Sequence, residues 1–300
     1  MKTILIITCS YDKTVDYILS KYRNQFNYFR FDVDHFGQYQ INITESGWRI
    51  IGNNDIIKQA DVQSIYYRKP TLPDTSGFDS EFRRIINSDI IAIVDGIVNS
   101  FDGVVLTKPQ ILRKVENKVF QLLYAQKNNI TIPKSFIGNN TDFNKIDACK
   151  IIKPISVGKI NSSNGFSIIQ TNIMHKDDKY DNIELTPIYV QEYISKAYEV
   201  RITVVDNDFY PVKISSDNLI DWRCGDNNAY ELIEIPQQIK KQIKRLMYDF
   251  DLKFGAIDYI VDPNGKWYFL EINPNGQWQW LEIELNLKIS NSILHLLLGE

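Results

Sequence analysis

The feature that most constrains this chain is an apolar segment that carries two carboxylates, FGAIDYIVDPNGKWYFLEINPNG, at residues 254–276. Two apolar runs flank Asn264 and Gly265, and such a pair between strand-forming runs favours a hairpin with a two-residue turn. A turn of that length places Asp258 directly opposite Glu271 on the neighbouring strand. The segment therefore predicts an antiparallel hairpin with two acids side by side.

Like charges placed directly opposite each other destabilise a sheet, so this pair requires a nearby cation. Alternation along the second strand puts Phe269, Glu271 and Asn273 on one face, which adds an amide oxygen to the two carboxylates. Mg²⁺ is usually held by one or two carboxylates, with phosphates and water in its other positions. We therefore expect Asp258, Glu271 and Asn273 to be metal ligands, and we favour this over a solvated hairpin edge where both acids face water.

The first part of the chain has the pattern of an α/β domain. Residues 3–8 form an uninterrupted apolar run, and Asp12 then precedes a segment with apolar residues at helical spacing. Further strands are expected at residues 27–32 and 64–67, and a helix at 82–98. The predicted inner face of this helix carries Phe82, Ile85, Ile86, Ile90 and Val94. Strands that alternate with helices indicate a parallel sheet with both faces covered.

The pattern starts again near residue 113 with a helix whose predicted inner face carries Val119, Leu122, Leu123 and Gln126. The rest of the chain is mostly strand, with two more helices. Strands are predicted at residues 134–137, 149–153, 187–193, 200–206, 209–215, 254–261 and 266–272, and helices at 236–250 and towards 294–298. This divides the chain into an N-terminal α/β domain (1–112), a central subdomain (113–186) and a C-terminal subdomain (187–300).

Composition excludes several classes of protein. The 300 residues include 34 Lys and Arg against 37 Asp and Glu, so the formal charge of −3 gives no basic excess for nucleic-acid binding. No run reaches the roughly 20 apolar residues of a membrane-spanning helix. Three widely spaced cysteines support neither a disulfide framework nor a cysteine-based zinc site. We therefore expect a cytoplasmic protein with no membrane or nucleic-acid partner.

Two lysines on apolar strands point to an anionic ligand. Lys153 ends the run CKIIK and Lys213 lies within YPVKIS, and a buried ammonium is costly unless it is paired. For either lysine alone, an internal salt bridge or a side chain that reaches the surface explains the position equally well. The Ser-, Asn- and Gly-rich loop at residues 156–165 favours phosphate, because its backbone N–H groups can close over a phosphate chain.

The segment YVQEYISKAYEVRITVV, at residues 189–205, places Glu192, Glu199 and Arg201 around a linker between two strands. A linker of this kind can offer backbone groups to an adenine edge, and a carboxylate such as Glu199 can accept two ribose hydroxyls. Taken alone, the segment is equally an ordinary charged hairpin.

In this order, these elements resemble the ATP-grasp superfamily over residues 113–298. The matching motifs are ENK at 116–118, the lysine of IIKP, QEYI with Glu199 and Arg201, Lys213, and Asp258 with EINPNG. The resemblance implies an α/β (α+β) ATP-grasp fold with an N-terminal parallel-sheet pre-ATP-grasp domain, and ATP and Mg²⁺ as cofactors.

The resemblance also implies a role for each matching residue. Lys118 and Lys153 hold ATP phosphates, and Asp258, Glu271 and Asn273 hold Mg²⁺. The implied nucleotide-binding residues are Gln191, Glu192 and Tyr193 at adenine and Glu199 at ribose.

Within the superfamily, the chain is most similar to the graspetide synthetases, the microviridin-type peptide ligases. The features that carry this likeness are YYRKP at 66–70, SSDNLIDWR at 215–223 and EINPNGQWQWLE at 271–282. The loop at 156–165 departs from the family because it lacks a paired-glycine phosphate loop.

The family resemblance implies an ATP-dependent macrocyclase in ribosomal peptide biosynthesis. It phosphorylates an Asp or Glu side chain of a precursor peptide that docks through its leader, and a Thr, Ser or Lys side chain then attacks to form an ω-ester or ω-amide. We expect Arg201, Arg223 and Lys213 to be the catalytic residues, with both arginines on phosphate oxygens. A homodimer is a further expectation.

Three alternatives stay open from the sequence. The chain is compatible with another carboxylate–amine ligase that adds amino acids to a protein or joins small molecules, with a phosphotransferase of the same fold, and with a non-catalytic nucleotide-binding module. Trp278 and Trp280 likewise fit either a peptide site or the core.

Overall fold

The computed structural model describes residues 3–52, 55–156, 159–162, 165–168, 171–175, 178, 180–218, 220 and 222–300. The strands are β1 (Thr3–Thr8), β2 (Tyr28–Asp32), β3 (Gln40–Thr44), β4 (Gly47–Ile51), β5 (Ile56–Lys58), β6 (Val62–Tyr67), β7 (Val104–Val105), β8 (Ser135–Gly138), β9 (Lys150–Lys153), β10 (Lys159–Ser162), β11 (Gly165–Ile168), β12 (Asn172–Ile173), β13 (Ile188–Glu192), β14 (Tyr198–Val205), β15 (Asp208–Ser216), β16 (Asn228–Leu232), β17 (Phe254–Val261) and β18 (Trp267–Asn273).

The α-helices are α1 (Lys13–Lys21), α2 (Ser80–Asn99), α3 (Pro109–Val115), α4 (Lys118–Lys127), α5 (Gln237–Asp249), α6 (Gln279–Leu285) and α7 (Ile289–Leu298). Within the described ranges, none of these helices combines the length and the apolar character that crossing a bilayer would require.

The N-terminal sheet is parallel, as predicted, with strand order β2-β1-β6-β7. Helix α1 begins after Asp12, whose carboxylate accepts hydrogen bonds from two backbone N–H groups of the first turn. Helices α1 and α7 cover one face of the sheet, and α2 covers the other. The antiparallel sheet β3-β4-β5, which the sequence analysis did not predict, packs on the α2 side.

The C-terminal sheet is antiparallel, with order β16-β15-β14-β17-β18, so β18 is an edge strand. Its α5 face carries Val200, Ile202 and Ile257, while its other face packs with α6, α7 and the N-terminal sheet. One apolar core therefore runs from the first strand of the chain to its last helix.

The central sheet has order β12-β9-β13-β8. Strand β13 pairs with both β8 and β9, so it lies in the central sheet although the boundary expected at residue 187 assigned it to the C-terminal subdomain. Strands β10 and β11 form a separate antiparallel hairpin. The predicted phosphate loop at 156–165 lies partly outside the described residues, so the structure does not test its contact with a ligand.

The predicted inner faces of two helices need correction. In α2 the buried residues begin at Ile90, whereas Phe82 and Ile85 are exposed, because the part of the helix from Ile90 onward supplies its buried contacts with the core of the sheet. In α4 the buried positions are Gln121 and Ala125, whereas Val119 and Leu123 are exposed. The α4 face turns towards the polar backbone of β18, so a glutamine takes the inner position.

The β17-β18 hairpin also differs from the prediction in its turn. Three residues separate Asp262 from Lys266, whose carbonyl accepts the Asp262 N–H, and Gly265 has φ of +80°. Pairing then shifts by one residue between Asp258 and Tyr259, which leaves Leu270 as a bulge. The bulge restores the predicted Asp258–Glu271 pair, but it turns Phe269 to the α5 face, away from Glu271.

Candidate active site

The site centres on Glu271, near the end of edge strand β18. Its carboxylate accepts a hydrogen bond from Asn273 Nδ2 at 3.2 Å. Burial opposes ionisation, but the cations Lys118 and Lys153, with help from Asn273 and Arg223, hold the pKa of Glu271 below its ordinary value. The edge of the C-terminal sheet thus brings three predicted cations around one predicted metal ligand.

Lys118 and Lys153 enter this group from the central part of the chain. The Lys118 ammonium donates to the carbonyl of Pro154 at 2.8 Å, and Lys153 donates to Gln191 Oε1 at 2.8 Å. Burial, together with the positive Arg223, lowers the pKa of Lys153 to about 8 against the opposing effect of the Glu271 carboxylate. The pKa of Lys118 is also lowered, chiefly by burial. Each lysine therefore donates to a neutral hydrogen-bond partner.

Asp258 and Arg201 form a second, buried pair beside Glu271. Arg201 donates Nε to Oδ1 at 2.8 Å and Nη2 to Oδ2 at 2.7 Å, a bidentate geometry that fixes both planes. The guanidinium carbon also lies 5.5 Å from the centroid of Trp222. Burial opposes the charge, yet Asp258 raises the pKa of Arg201. The Nη1 nitrogen of Arg201 takes no part in this bidentate pair.

The donor set at this edge fits Mg²⁺. Asp258 and Glu271 are cross-strand partners, and Asn273 pairs with Ala256 two positions further along the same face. Two carboxylates and one amide oxygen match the ligands that Mg²⁺ takes when phosphates complete its shell. Among the described residues, no three His, Cys, Asp or Glu side chains converge, which excludes an all-protein cage only for that part of the chain.

The predicted nucleotide residues occupy different positions relative to this edge. The Gln191 side chain is buried and bonds Lys153, Ser135 and Tyr189, so it lines the same cavity as Lys118, Lys153 and Glu271. Glu199 accepts from Lys196 on the linker after β13. The backbone N–H groups of Glu192 and Tyr193 donate to Lys134 and Cys149, so these two amides are already used within the sheet.

Comparison with known proteins identifies the family. A model described as the RimK-like ATP-grasp domain matches residues 114–297, more than half of the chain. The chain belongs to the RimK-like ATP-grasp family. A second model, the MvdD pre-ATP grasp domain, matches residues 3–113. Both matches confirm the fold that the sequence resemblance implied. No curated protein matched the chain.

Solved structures of similar proteins cover the full length of this RimK-like ATP-grasp chain. The macrocyclase MdnC from Microcystis aeruginosa MRC, bound with precursor peptide MdnA, is 27% identical over 99% of this chain and 100% of its own, with a TM-score of 0.88. A RiPP-associated ATP-grasp ligase from Chryseobacterium gregarium, in complex with ADP and a leader and core peptide, is 27% identical over 100% and 97%, with a TM-score of 0.88. The macrocyclase MdnB from Microcystis aeruginosa MRC is 25% identical over 99% of each chain, with a TM-score of 0.83.

Two predicted residues of this ATP-grasp chain lie away from the Glu271 group. Lys213 pairs with Val200 on the α5 face of its sheet, opposite to Arg201 and Asp258, and its ammonium bonds Glu231 at 3.1 Å.

Trp278 is fully buried in the core, whereas Trp280 is half-buried and packs on Trp222. The structure does not bring Lys213 or Trp278 to the candidate site.

Arg223 follows Trp222 in a short 3-10 turn and is exposed. Its charge acts on Glu271, Lys118 and Lys153, which places it near the group that the sequence analysis assigned to phosphate. Asp221, the first residue of the DWR motif, lies outside the described residues.

Sequence reasoning missed the residues that hold the segment from Ile272 to Gln277 in place. Gln121 donates Nε2 to the Ile272 carbonyl at 2.9 Å and accepts the Ile272 N–H at 2.9 Å. Thr107 donates to the Pro274 carbonyl at 3.3 Å, and Arg68 donates to Asn275 and Gln277. A glutamine at a buried helix position is the one signal that could have found Gln121, because a buried amide requires partners.

Proposed function

We propose that this protein is a graspetide synthetase, an ATP-dependent peptide macrocyclase. It would activate Asp or Glu side chains of a ribosomal precursor peptide and join them to Thr, Ser or Lys side chains as ω-esters or ω-amides. The observation that carries the proposal is the full-length likeness to the macrocyclase MdnC and to a ligase crystallised with ADP and a leader and core peptide.

The charges at the site suit phosphoryl transfer to a carboxylate. Lys118, Lys153, Arg201 and Arg223 outnumber Glu271 and Asp258, so the group has an excess of positive charge for a polyphosphate. Lys118 and Lys153 would bind the phosphates, and Arg201 Nη1 and Arg223 would face the phosphoryl group in transfer. These cations would also offset the repulsion between the peptide carboxylate and the nucleotide.

Ring closure follows from the chemistry of the activated carboxyl. The peptide carboxylate oxygen attacks the γ-phosphorus and ADP leaves, which converts a poor leaving group into phosphate. A hydroxyl or amine of the same peptide then attacks the acyl carbon, loses its proton and releases inorganic phosphate. The protein's contribution is to position both side chains and to keep water out.

Asp258, Glu271 and Asn273 would hold Mg²⁺, and the bound ion would neutralise charge on the phosphate oxygens. Gln191 would support Lys153 at the phosphates, and Glu199 would accept the ribose hydroxyls. The Arg201 fork keeps the Asp258 carboxylate in a fixed orientation for this task.

The test uses purified protein with ATP, Mg²⁺ and candidate precursor peptides rich in Thr and Glu or Asp, encoded in short reading frames beside its gene. We expect the peptide to lose the mass of one water for every bond formed, with one ADP and one phosphate released per bond. A peptide whose Glu and Asp residues are changed to Gln and Asn is the matched control and should stay unchanged.

Other changes in the mass of the peptide would identify one of the alternative reactions. A gain equal to an amino-acid residue would indicate a ligase that extends a protein, and a stable gain of phosphate would indicate a phosphotransferase. A well-folded protein that takes up no Mg-ATP in calorimetry would contradict the proposal altogether.

A further inference from the structure

Strands β1 and β6 are parallel neighbours, and we call the space between the loops that follow them the crevice. In the parallel order β2-β1-β6-β7, the chain leaves β1 to one side for β2 and returns on the other side for β6. The two loops that follow β1 and β6 therefore diverge at a topological switch point, where open α/β sheets bind ligands. The segment after β6 is Arg68, Lys69 and Pro70.

Arg68 is buried beneath this crevice and links it by hydrogen bonds to Asn275 and Gln277, which follow the predicted metal ligand Asn273. Its side chain is only 1% exposed. The guanidinium lies 3.3 Å from the Asp12 carboxylate, and Nη2 donates to Thr14 Oγ1 at 3.1 Å and to Gln277 Oε1 at 2.8 Å. Across the crevice mouth, the Tyr11 hydroxyl donates to Thr71 Oγ1 at 2.7 Å. The backbone on both sides of Lys69 is thus held in place.

Lys69 itself has an unfavourable backbone conformation, with φ of +42°. Among the described residues, the other non-glycine residues with positive φ are Asn or Asp, which tolerate this region, except Thr107. A residue before proline is also biased towards extended backbone. The conformation of Lys69 is therefore disfavoured both by its positive φ and by the Pro70 that follows it. Such strain persists where the surrounding structure imposes it, and it is concentrated at functional sites.

Lys69 directly follows Arg68, whose Nη1 donates to Asn275 Oδ1 at 3.3 Å, so it lies beside the segment that follows Asn273. The charges that act on it come from Arg68, Asp12, Glu116 and Arg201, and Arg201 is the residue that holds Asp258. The surrounding protein desolvates the Lys69 ammonium in part, and this desolvation and the two arginines lower its pKa. Asp12 is engaged by Arg68 and by the Thr8 hydroxyl. Within the described part of the chain, the Lys69 ammonium makes no ion pair or hydrogen bond, and the residue is exposed to solvent.

We propose that Lys69 binds the acidic side chain of the peptide substrate and presents it to the nucleotide phosphates. The proposal rests on the function proposed above and names the residue that selects the acylated side chain. An ammonium suits this role because it pairs with a carboxylate and offsets the repulsion as that carboxylate approaches the polyphosphate. Arg68 and the Tyr11–Thr71 bond position Lys69 and do not touch the substrate.

The experiment compares wild-type protein with Lys69→Met, Lys69→Arg and Lys69→Gly, and with Lys244→Met as a matched exposed lysine on α5. The probe is the precursor peptide used in the ring-closure assay, and hydroxylamine traps the activated carboxyl as a hydroxamate. We expect Lys69→Met to raise the KM for the peptide about tenfold or more, the loss typical of one charged hydrogen bond. Calorimetric binding of Mg-ADP should stay unchanged, Lys69→Arg should recover part of the loss, and Lys244→Met should match wild type.

Two further measurements separate substrate binding from a structural role. Lys69→Gly should unfold at the same or a higher temperature than wild type, because glycine relieves the positive φ, and it should still show the raised KM. For a peptide with Gln and Asn in place of Glu and Asp, wild type and Lys69→Met should bind equally weakly.

An unchanged peptide KM in Lys69→Met would overturn the assignment while ring closure by wild type upholds the proposed function. Equal losses of Mg-ADP and peptide binding would also overturn it, because they would place Lys69 at the nucleotide. A wild-type protein that binds Mg-ATP but forms neither hydroxamate nor ring would instead refute the proposed function, and the role of Lys69 with it.

Discussion

At Lys153, a buried ammonium has only a neutral hydrogen-bond partner. It donates to Gln191 Oε1, lies 4.5 Å from the centroid of the Tyr189 ring, and has a pKa that burial lowers to about 8. A phosphate oxygen would supply the missing negative charge and raise that pKa. Nucleotide binding should therefore change the protonation of Lys153.

The affinity for Mg-ADP should be nearly constant below pH 8 and fall as the pH rises above about 8. The sign follows because binding raises the pKa of Lys153, so the bound state takes up a proton that the free protein has lost. Calorimetry at pH 9 in buffers of different ionisation enthalpy should detect this uptake. Lys153→Met should bind more weakly and show a much smaller proton uptake; an unchanged uptake would assign the titration to another group.

Arg223→Ala should leave Mg-ADP affinity nearly intact and abolish ring formation. The residue is exposed, so the fold should not change, while its charge acts on Glu271 and both lysines at the position assigned to the phosphoryl group in transfer. Calorimetry and mass spectrometry of the peptide make the comparison, with Arg245→Ala on exposed α5 as control. A mutant that keeps its fold but loses nucleotide binding would show that this role is misassigned.

Strand β18 shows how far the sequence predicts an element and where it fails. Its apolar pattern predicted the hairpin, and the Asp258–Glu271 pair is correct because the bulge at Leu270 offsets the one-residue error in the turn. The turn and the position of Phe269 were wrong, since the bulge at Leu270 depends on contacts with other elements. The antiparallel sheet β3-β4-β5 was also missed. Its outer strands β3 and β5 are short and mostly exposed, so the alternation of Ile41 and Ile43 in β3 does not mark a buried face.

In the candidate site, too, the sequence predicts what depends on local patterns and misses what depends on contacts between distant segments. Lys153, Asp258, Glu271 and Asn273 were predicted from local strand patterns, and Lys118 was predicted from the family resemblance. The face occupied by Lys213 depends on strand pairing, and the contacts made by Gln121, Thr107 and Arg68 join distant segments. Local patterns do not contain that information.

Gln121→Leu should lower the free energy of unfolding by about 3 kcal/mol, since it leaves the buried N–H and C=O of Ile272 without their partner. The loss should also weaken Mg²⁺-dependent nucleotide binding, because Ile272 lies between Glu271 and Asn273. Urea unfolding and calorimetry test both effects, and Leu123→Ala on the exposed side of α4 is the control. Equal stability of the two variants would contradict this role of Gln121.

At the scale of the molecule, Arg68 joins the N-terminal sheet to the segment that follows β18. Arg68→Met should cost roughly 3 to 5 kcal/mol of stability, because it leaves the buried Asp12 carboxylate unpaired. The double variant Arg68→Met with Asp12→Asn should recover part of this loss in urea unfolding. If the double variant is less stable by the sum of both single effects, the two residues are not coupled.

Helix α7 has a consequence for synthesis of the chain. Its backbone carbonyls at Leu297 and Leu298 accept hydrogen bonds from Ser64 and Gln63, and its apolar side chains share a core with Ile4 and Ile6. Strands β1 and β6 thus lack these contacts until α7 is translated, and α7 follows all the other helices and strands of the structure. During that interval one side of the first sheet stays open to water, and chaperones that shield apolar surfaces would find their target there.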